Sequence, residues 1–363
     1  MSIKKYSINN LENYIIAIFL LSLPLSETLK QITFVLLILL FVIDKILNKQ
    51  KIYIDKFSTG LLILLLGNTL PLYFSNEPQL AFKWFWSIFM FSSLYLILIN
   101  DFKSNNQVAM IKKFFLFSLV LGLIWGIFVW KISWGNPRLE IKSVGAPNAT
   151  GTYLGIYTLF ILFIIYLKSR DLVHKHKGWF SFYLIIIMLL LIALILNGSR
   201  GAYVGIFAGI LYLILINPSK RWFFLISFFI LSLIILIGGT FYNELSSRIL
   251  DTFSTMERFK NWEKNLNCFL INPIFGGSSK ICYEDPDNLF IAFLSRAGII
   301  GLLSFLTFIY YFLKQFLENK FAVSMLLFLL TNGIFETTLK HEPAIVFIIS
   351  VFILLKEHEN TNS

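Results

Sequence analysis

The sequence predicts an all-α, polytopic integral membrane protein with about twelve transmembrane helices and one long, partly helical exterior loop. Of its 363 residues, 57% are hydrophobic and only 14% charged, and the mean hydropathy is +0.75, far from soluble domains. Apolar stretches near the roughly 20 residues needed to cross a bilayer recur along the whole chain. Lipid cannot satisfy an open backbone, so segments of this kind are helices.

Spans are expected near 14–26, 31–43, 58–74, 80–99, 113–131, 149–167, 180–196, 201–217, 222–239, 288–312, 321–338 and 343–355. The first two and the last are short, and a pair of them could form one kinked or re-entrant unit around Pro24. Lys4 and Lys5 precede the run Tyr14 to Ser26 with no small-residue cleavage site after it, which reads as an uncleaved first span in a chain beginning at Met1. The division is therefore 1–239 for nine spans, 240–287 for the loop, and 288–363 for three spans and a tail.

Charge sets the orientation. Lys and Arg gather in 44–56, 101–113, 168–177, 219–221, 314–320 and at both termini, which marks these as cytoplasmic. The segments 131–148 and 240–287 then face outwards. The net charge of +11 is scattered between spans, without the basic stripe and aromatic platforms of a nucleic-acid binder.

In the long loop, Leu245, Ile249, Phe253 and Met256, then Phe259, Trp262, Leu266 and Phe269, recur at helical spacing with one side apolar. Two amphipathic helices on the membrane surface are expected; the plainer reading is a structural cap over the bundle. Cys268 and Cys282 are the only cysteines, and both fall here. An exterior compartment favours a disulfide, worth about 3 kcal/mol in the chain-entropy model. Two free thiols are the alternative, and a metal site fits poorly because there is no nearby His.

Arg200 interrupts two apolar runs in "NGSRGAYVG", and Arg258 stands in "RFKNW". An arginine near a bilayer costs about 2.5 to 3.5 kcal/mol at its centre and calls for a partner or a polar cavity. The planar guanidinium suits phosphate oxygens in pairs, so two arginines could hold a lipid diphosphate without a metal. Snorkelling to headgroups is the plainer role for either. "GAPNATGTYLG", with Asn148, reads as a helix start. "EDPDNLFIAFLSRAGIIG" begins another span, where Asp287 is either an N-cap or a carboxylate able to take a proton from a hydroxyl.

In order, "GAPNATGTYLG", "NGSRGAYVG", "RFKNWEKNLNCFLINPIFGG" and "DNLFIAFLSRAGIIG" resemble the O-antigen ligase and O-antigen polymerase family of bacterial envelope enzymes, over roughly 145–305. The resemblance implies a metal-independent inverting glycosyltransferase without cofactors in the inner membrane, working on the periplasmic face. Its donor is a glycan on undecaprenyl diphosphate, and its acceptor is a sugar hydroxyl of lipid A-core in ligases or of another repeat unit in polymerases. Arg200 and Arg258 would bind the diphosphate, with Trp262, Asn148 and Asn288 around the substrates, and Asp287 as base. Membrane lipids are the remaining partners, and nucleic acid is not one.

The sequence departs from the family at two places. Asp287 stands where ligases usually have a histidine, and Arg296 where a glutamate is common. Glu284, Asp285 and His341 are spare candidates for the base. Ligase is preferred over polymerase. A lipid-glycan transporter is disfavoured because the charges lie at helix ends and the spans are nearly clean apart from Arg296; a non-catalytic scaffold is supported only by the missing histidine.

Overall fold

The computed structural model describes residues 2–132, 138–141, 143–175, 177–217, 221–229, 232, 253–339 and 341–362. Among these residues the secondary structure is helical, with no strand. The helices are α1 (Ser2–Ser22), α2 (Glu27–Leu47), α3 (Lys56–Gly67), α4 (Leu70–Phe74), α5 (Pro78–Asp101) and α6 (Asn105–Ile132). They continue with α7 (Pro147–Lys175), α8 (Lys177–Asn197), α9 (Arg200–Ile216), α10 (Phe253–Ile271), α11 (Leu289–Phe316), α12 (Lys320–Gly333) and α13 (His341–Asn362).

Five stretches among the described residues are long and apolar enough to cross a membrane: Lys56–Phe74, Pro78–Asp101, Asn105–Ile132, Pro147–Leu167 and Leu289–Phe316. Asn10–Ser22, Ser181–Asn197, Arg200–Ile216 and Lys320–Gly333 are shorter apolar helices. The expected span 222–239 lies largely outside the described residues.

Several boundaries differ from the sequence expectation. The stretch 58–74 breaks after Gly67, because Pro71 cannot donate a backbone N–H and crowds the preceding turn. Asn68 closes the break: its amide donates to Leu64 O at 2.8 Å and its carbonyl accepts from the Trp84 indole at 2.9 Å. Around Pro24 the chain forms two helices, with Ser26 capping α2. The span expected to reach 338 ends at Gly333.

The chain runs back and forth between two ends of the bundle, and polar contacts tie each end. Lys30, near the start of α2, pairs with Glu342 near the start of α13; each is only 1% exposed. Burying either charge alone is costly, so the pair fixes the two helices to each other. At the opposite end Lys45 of α2 pairs with Asp101 of α5, and Lys112 of α6 with Glu357 of α13 at 2.6 Å.

Small residues set a close helix contact. Gly201, Gly205 and Gly209 recur every fourth residue along α9 and lie against α12. A Cβ at Gly205 would stand 3.0 Å from the Phe328 carbonyl oxygen, and one at Gly209 would stand 3.1 Å from that of Ser324. Close backbone approach through small residues is the means by which apolar helices pack where lipid competes for their surface. Ser324 Oγ adds a hydrogen bond to Gly209 O at 3.0 Å. This contact holds the start of α9, and with it Arg200.

The long loop also departs from expectation. Met256 and Phe259 belong to one continuous helix, α10, where two helices were expected; Leu245 and Ile249 lie outside the described residues. The helix does not lay its apolar side on the bundle, as a cap would. Met256, Phe259 and Leu270 are 64%, 58% and 68% exposed, whereas Asn265 and Cys268 are 1% and 3% exposed on the side turned inwards.

Gly205→Leu should separate α9 from α12 and lower stability by about 1–3 kcal/mol, the usual cost of overpacking. Thermal unfolding of the detergent-solubilised protein, followed by tryptophan fluorescence, checks this; an unchanged midpoint would contradict the close contact.

Candidate functional site

A polar cavity of about 160 Å³ opens at the end of the bundle where α7, α9 and α11 begin. Arg138, Asn148, Gly198, Arg200, Glu257, Arg258, Asn261 and Asp287 line it. The sequence singled out four of these, Asn148, Arg200, Arg258 and Asp287, from four separate segments between positions 148 and 287.

Arg200 is the first residue of α9, and the preceding turn is built for it. Gly198 takes a left-handed φ of 63°, and Ser199 caps the helix by accepting from Ala202 N. Asn197, fully buried, spreads its amide over two neighbouring segments, donating to Leu139 O at 2.8 Å and Pro147 O at 2.7 Å. Its own carbonyl accepts from Arg138 Nε at 2.7 Å, and Arg138 Nη2 donates to Asn148 Oδ1 at 3.0 Å. One asparagine thereby places Arg138 and the start of α7 beside Arg200.

Arg258 and Asn261 come from the inward side of α10. A disulfide to the 280–283 turn and the loop that follows the helix together hold it beside α11. A disulfide joins Cys268 to Cys282, with Cα atoms 5.5 Å apart. Beyond it, the "NPIFGG" stretch fills a break in α11, where Gly298 takes φ 65° and ψ −163°. Gly277 N donates to Ser295 O at 2.8 Å, and Ile299 N donates to Pro273 O at 2.9 Å. A helix interrupted inside a bundle leaves donors and acceptors open, and this loop satisfies them. Gly276 makes the fit possible: a Cβ there would lie 2.6 Å from Gly298 N and 2.7 Å from Ser295 O.

Asp287 precedes α11 in a left-handed conformation, φ 52°, which Asp tolerates better than most residues. It is not the helix cap. Asn288 fills that role, accepting from Phe290 N and Ile291 N at 3.0 and 3.1 Å and donating to Ile334 O at 3.1 Å. Asp287 lines the cavity, whereas Asn288, expected as a substrate contact, bonds backbone groups and is not among the residues that line it. Trp262 is likewise absent from the described cavity wall; it meets Phe259 edge-on at 5.1 Å, and its buried indole N–H finds no partner among the described residues.

Asp285, Asp287 and Glu336 each place a carboxylate oxygen within 4.8 Å of the others. That spacing would accept a cation, but the buried Arg296 guanidinium already supplies positive charge to Asp285 and Glu336. Arg296 also donates to Glu284 O at 3.2 Å and lies 4.6 Å from the centre of the Trp84 ring. Thr337 donates to Asp285 Oδ1 at 2.7 Å. Of the spare bases, Glu284 is exposed away from the described wall, and the His341 side chain lies outside the described residues. Nearby, burial pushes the Tyr283 phenol above its ordinary pKa, and its hydroxyl donates to Ser75 Oγ at 2.9 Å.

Three guanidinium groups thus face two carboxylates, Glu257 and Asp287, around one cavity. The excess of fixed donors suits an anion with several oxygens. Sequence reasoning missed Arg138, Glu257 and Asn261. Arg138 stands in the basic segment 131–148, but nothing local separates it from an ordinary loop arginine.

Residues 184–306 match a family model described as O-antigen ligase. Over that segment, about a third of the chain, the protein is similar to the O-antigen ligase family. The segment carries the turn before α9, α10, the disulfide and the break in α11, so the O-antigen ligase region supplies Arg200, Arg258 and Asp287, while Arg138 and Asn148 lie ahead of it. No curated protein matches the chain.

Gly276→Ala should dislodge the loop from α11 and lower the unfolding midpoint sharply. Cys268→Ser should cost about 3 kcal/mol, the entropy of the closed loop. Reductant should lower the wild-type midpoint to that of the serine variant and leave the variant unchanged.

Proposed function

We propose that the protein is an O-antigen ligase-like glycosyltransferase that moves a glycan from undecaprenyl diphosphate to a sugar hydroxyl of lipid A-core. It requires no metal, inverts the anomeric centre, and works at the periplasmic face of the inner membrane. The observation that carries this reading is the cavity in which arginines from three separate elements converge beside Asp287 within reach of the family segment.

Arg138, Arg200 and Arg258 hold the diphosphate. As the glycosidic bond to phosphate breaks, negative charge grows on the leaving diphosphate, and donors already fixed in place stabilise it without reorganising. Asp287 accepts the proton of the acceptor hydroxyl while that oxygen forms the new bond from the opposite face of the sugar. A carboxylate near its ordinary pKa of about 3.9 is a weaker base than histidine.

The cavity is smaller than the roughly 300–1,000 Å³ of a complete small-ligand site, which fits a site for a headgroup whose glycan extends outwards and whose lipid lies alongside the bundle. The outward apolar side of α10 suits the membrane surface beside it.

Arg138→Ala, Arg200→Ala and Arg258→Ala should each reduce transfer by about 100-fold or more, the scale for loss of one charge-stabilising donor, with near-normal protein in the membrane. The assay is the envelope-glycan pattern on gels from a deletion strain complemented with each variant. Loss of all glycan on lipid A-core with accumulating lipid-linked polymer identifies a ligase. Core bearing a single repeat unit identifies a polymerase, and full activity in Asp287→Ala removes Asp287 as the base.

A further inference from the structure

A second cavity lies at the opposite end of the bundle, where α6 and α8 begin and α13 ends. Its volume is about 670 Å³, within the usual range for a bound small molecule. Val108, Leu116, Phe117, Val120 and Phe182 give it apolar walls. Phe117 and Phe182 are 51% and 40% exposed, so these walls open to the side of the bundle and not into its core.

One end of the groove is charged. Lys112 and Lys113 both line it, and Glu357 reaches in from α13 to hold Lys112 at 2.6 Å. Lys113 is exposed at the mouth. Apolar walls that end in paired lysines match an amphiphile with an acyl chain and a negative headgroup.

We propose that this groove binds an anionic phospholipid from the leaflet at that end of the bundle, with its phosphate at Lys112 and Lys113 and an acyl chain along Val120 and Phe117. Basic pockets between membrane helices recognise anionic headgroups in this way, because the lysines neutralise the phosphate while the chain stays in an apolar path. Glu357 limits the excess charge and orients Lys112, leaving Lys113 to discriminate between headgroups. The site lies across the bundle from the arginine cavity and does not depend on the function assigned there.

Native mass spectrometry of the full-length protein in detergent tests the proposal, using phosphatidylglycerol and phosphatidylcholine with identical chains. Phosphatidylglycerol should be retained and phosphatidylcholine lost. Lys113→Gln should weaken phosphatidylglycerol about fivefold, equivalent to about 1 kcal/mol for one lysine at an anionic surface, and Lys113→Arg should retain it. Ala109→Trp, at an exposed position on the wall, should fill the groove and abolish retention without unfolding the protein. Equal retention of the two lipids, or unchanged affinity in Lys113→Gln, would overturn headgroup recognition. Displacement of phosphatidylglycerol by an equimolar polyprenyl phosphate would assign the groove to an isoprenoid carrier and overturn the proposal as well.

Discussion

The arrangement depends on the repair of a broken helix. Gly298 interrupts α11 inside the bundle, and the open backbone groups on either side are taken up by residues 273–277, at 2.8 Å to Ser295 O and 2.9 Å from Ile299 N. Without that loop the break would leave polar groups unsatisfied in an apolar setting, at a cost of several kcal/mol each. Without the break the loop would have no partners. Because the loop follows directly from α10, the same bonds fix the helix that carries Arg258, and the disulfide fixes it again a few residues earlier.

A second constraint acts on the other half of the site. Asn197 has two amide hydrogens and uses both on separate segments, while its backbone carbonyl receives Arg138. A buried asparagine in this position is stabilising only when its donors are satisfied. Its bonds therefore select one arrangement of the 138–141 strap, the start of α7 and the turn before α9. The glycine stripe of α9 then presses that turn towards α12, where Asn332 donates to Thr152 Oγ1 of α7 at 2.7 Å.

Electrostatics follow from this geometry. Four segments bring three arginines and two carboxylates to one cavity, a density of charge tolerable only where an anion or water completes it. The carboxylate cluster beside it is compensated from the other side by Arg296, which is itself packed on Trp84.

The sequence by itself determined the helical class, because composition and run length leave an apolar chain no other way to satisfy its backbone. It also pointed to four residues of the cavity wall: Asn148, Arg200 and Asp287 stand at helix starts that their own neighbours specify, and Arg258 lies within the helical pattern of α10. It did not reveal that 58–74 breaks at Asn68, that α10 runs unbroken through Phe259, or that α10 turns its apolar side outwards. Those outcomes come from contacts with distant residues: Trp84 on Asn68, Cys282 on Cys268, and the arginine cavity that draws in the polar side of α10. Tertiary structure alone decided that Arg138 joins the site and that Asn288, not Asp287, caps α11. Which donor a side chain meets depends on the packing of segments far apart in the chain, and periodicity carries no record of it.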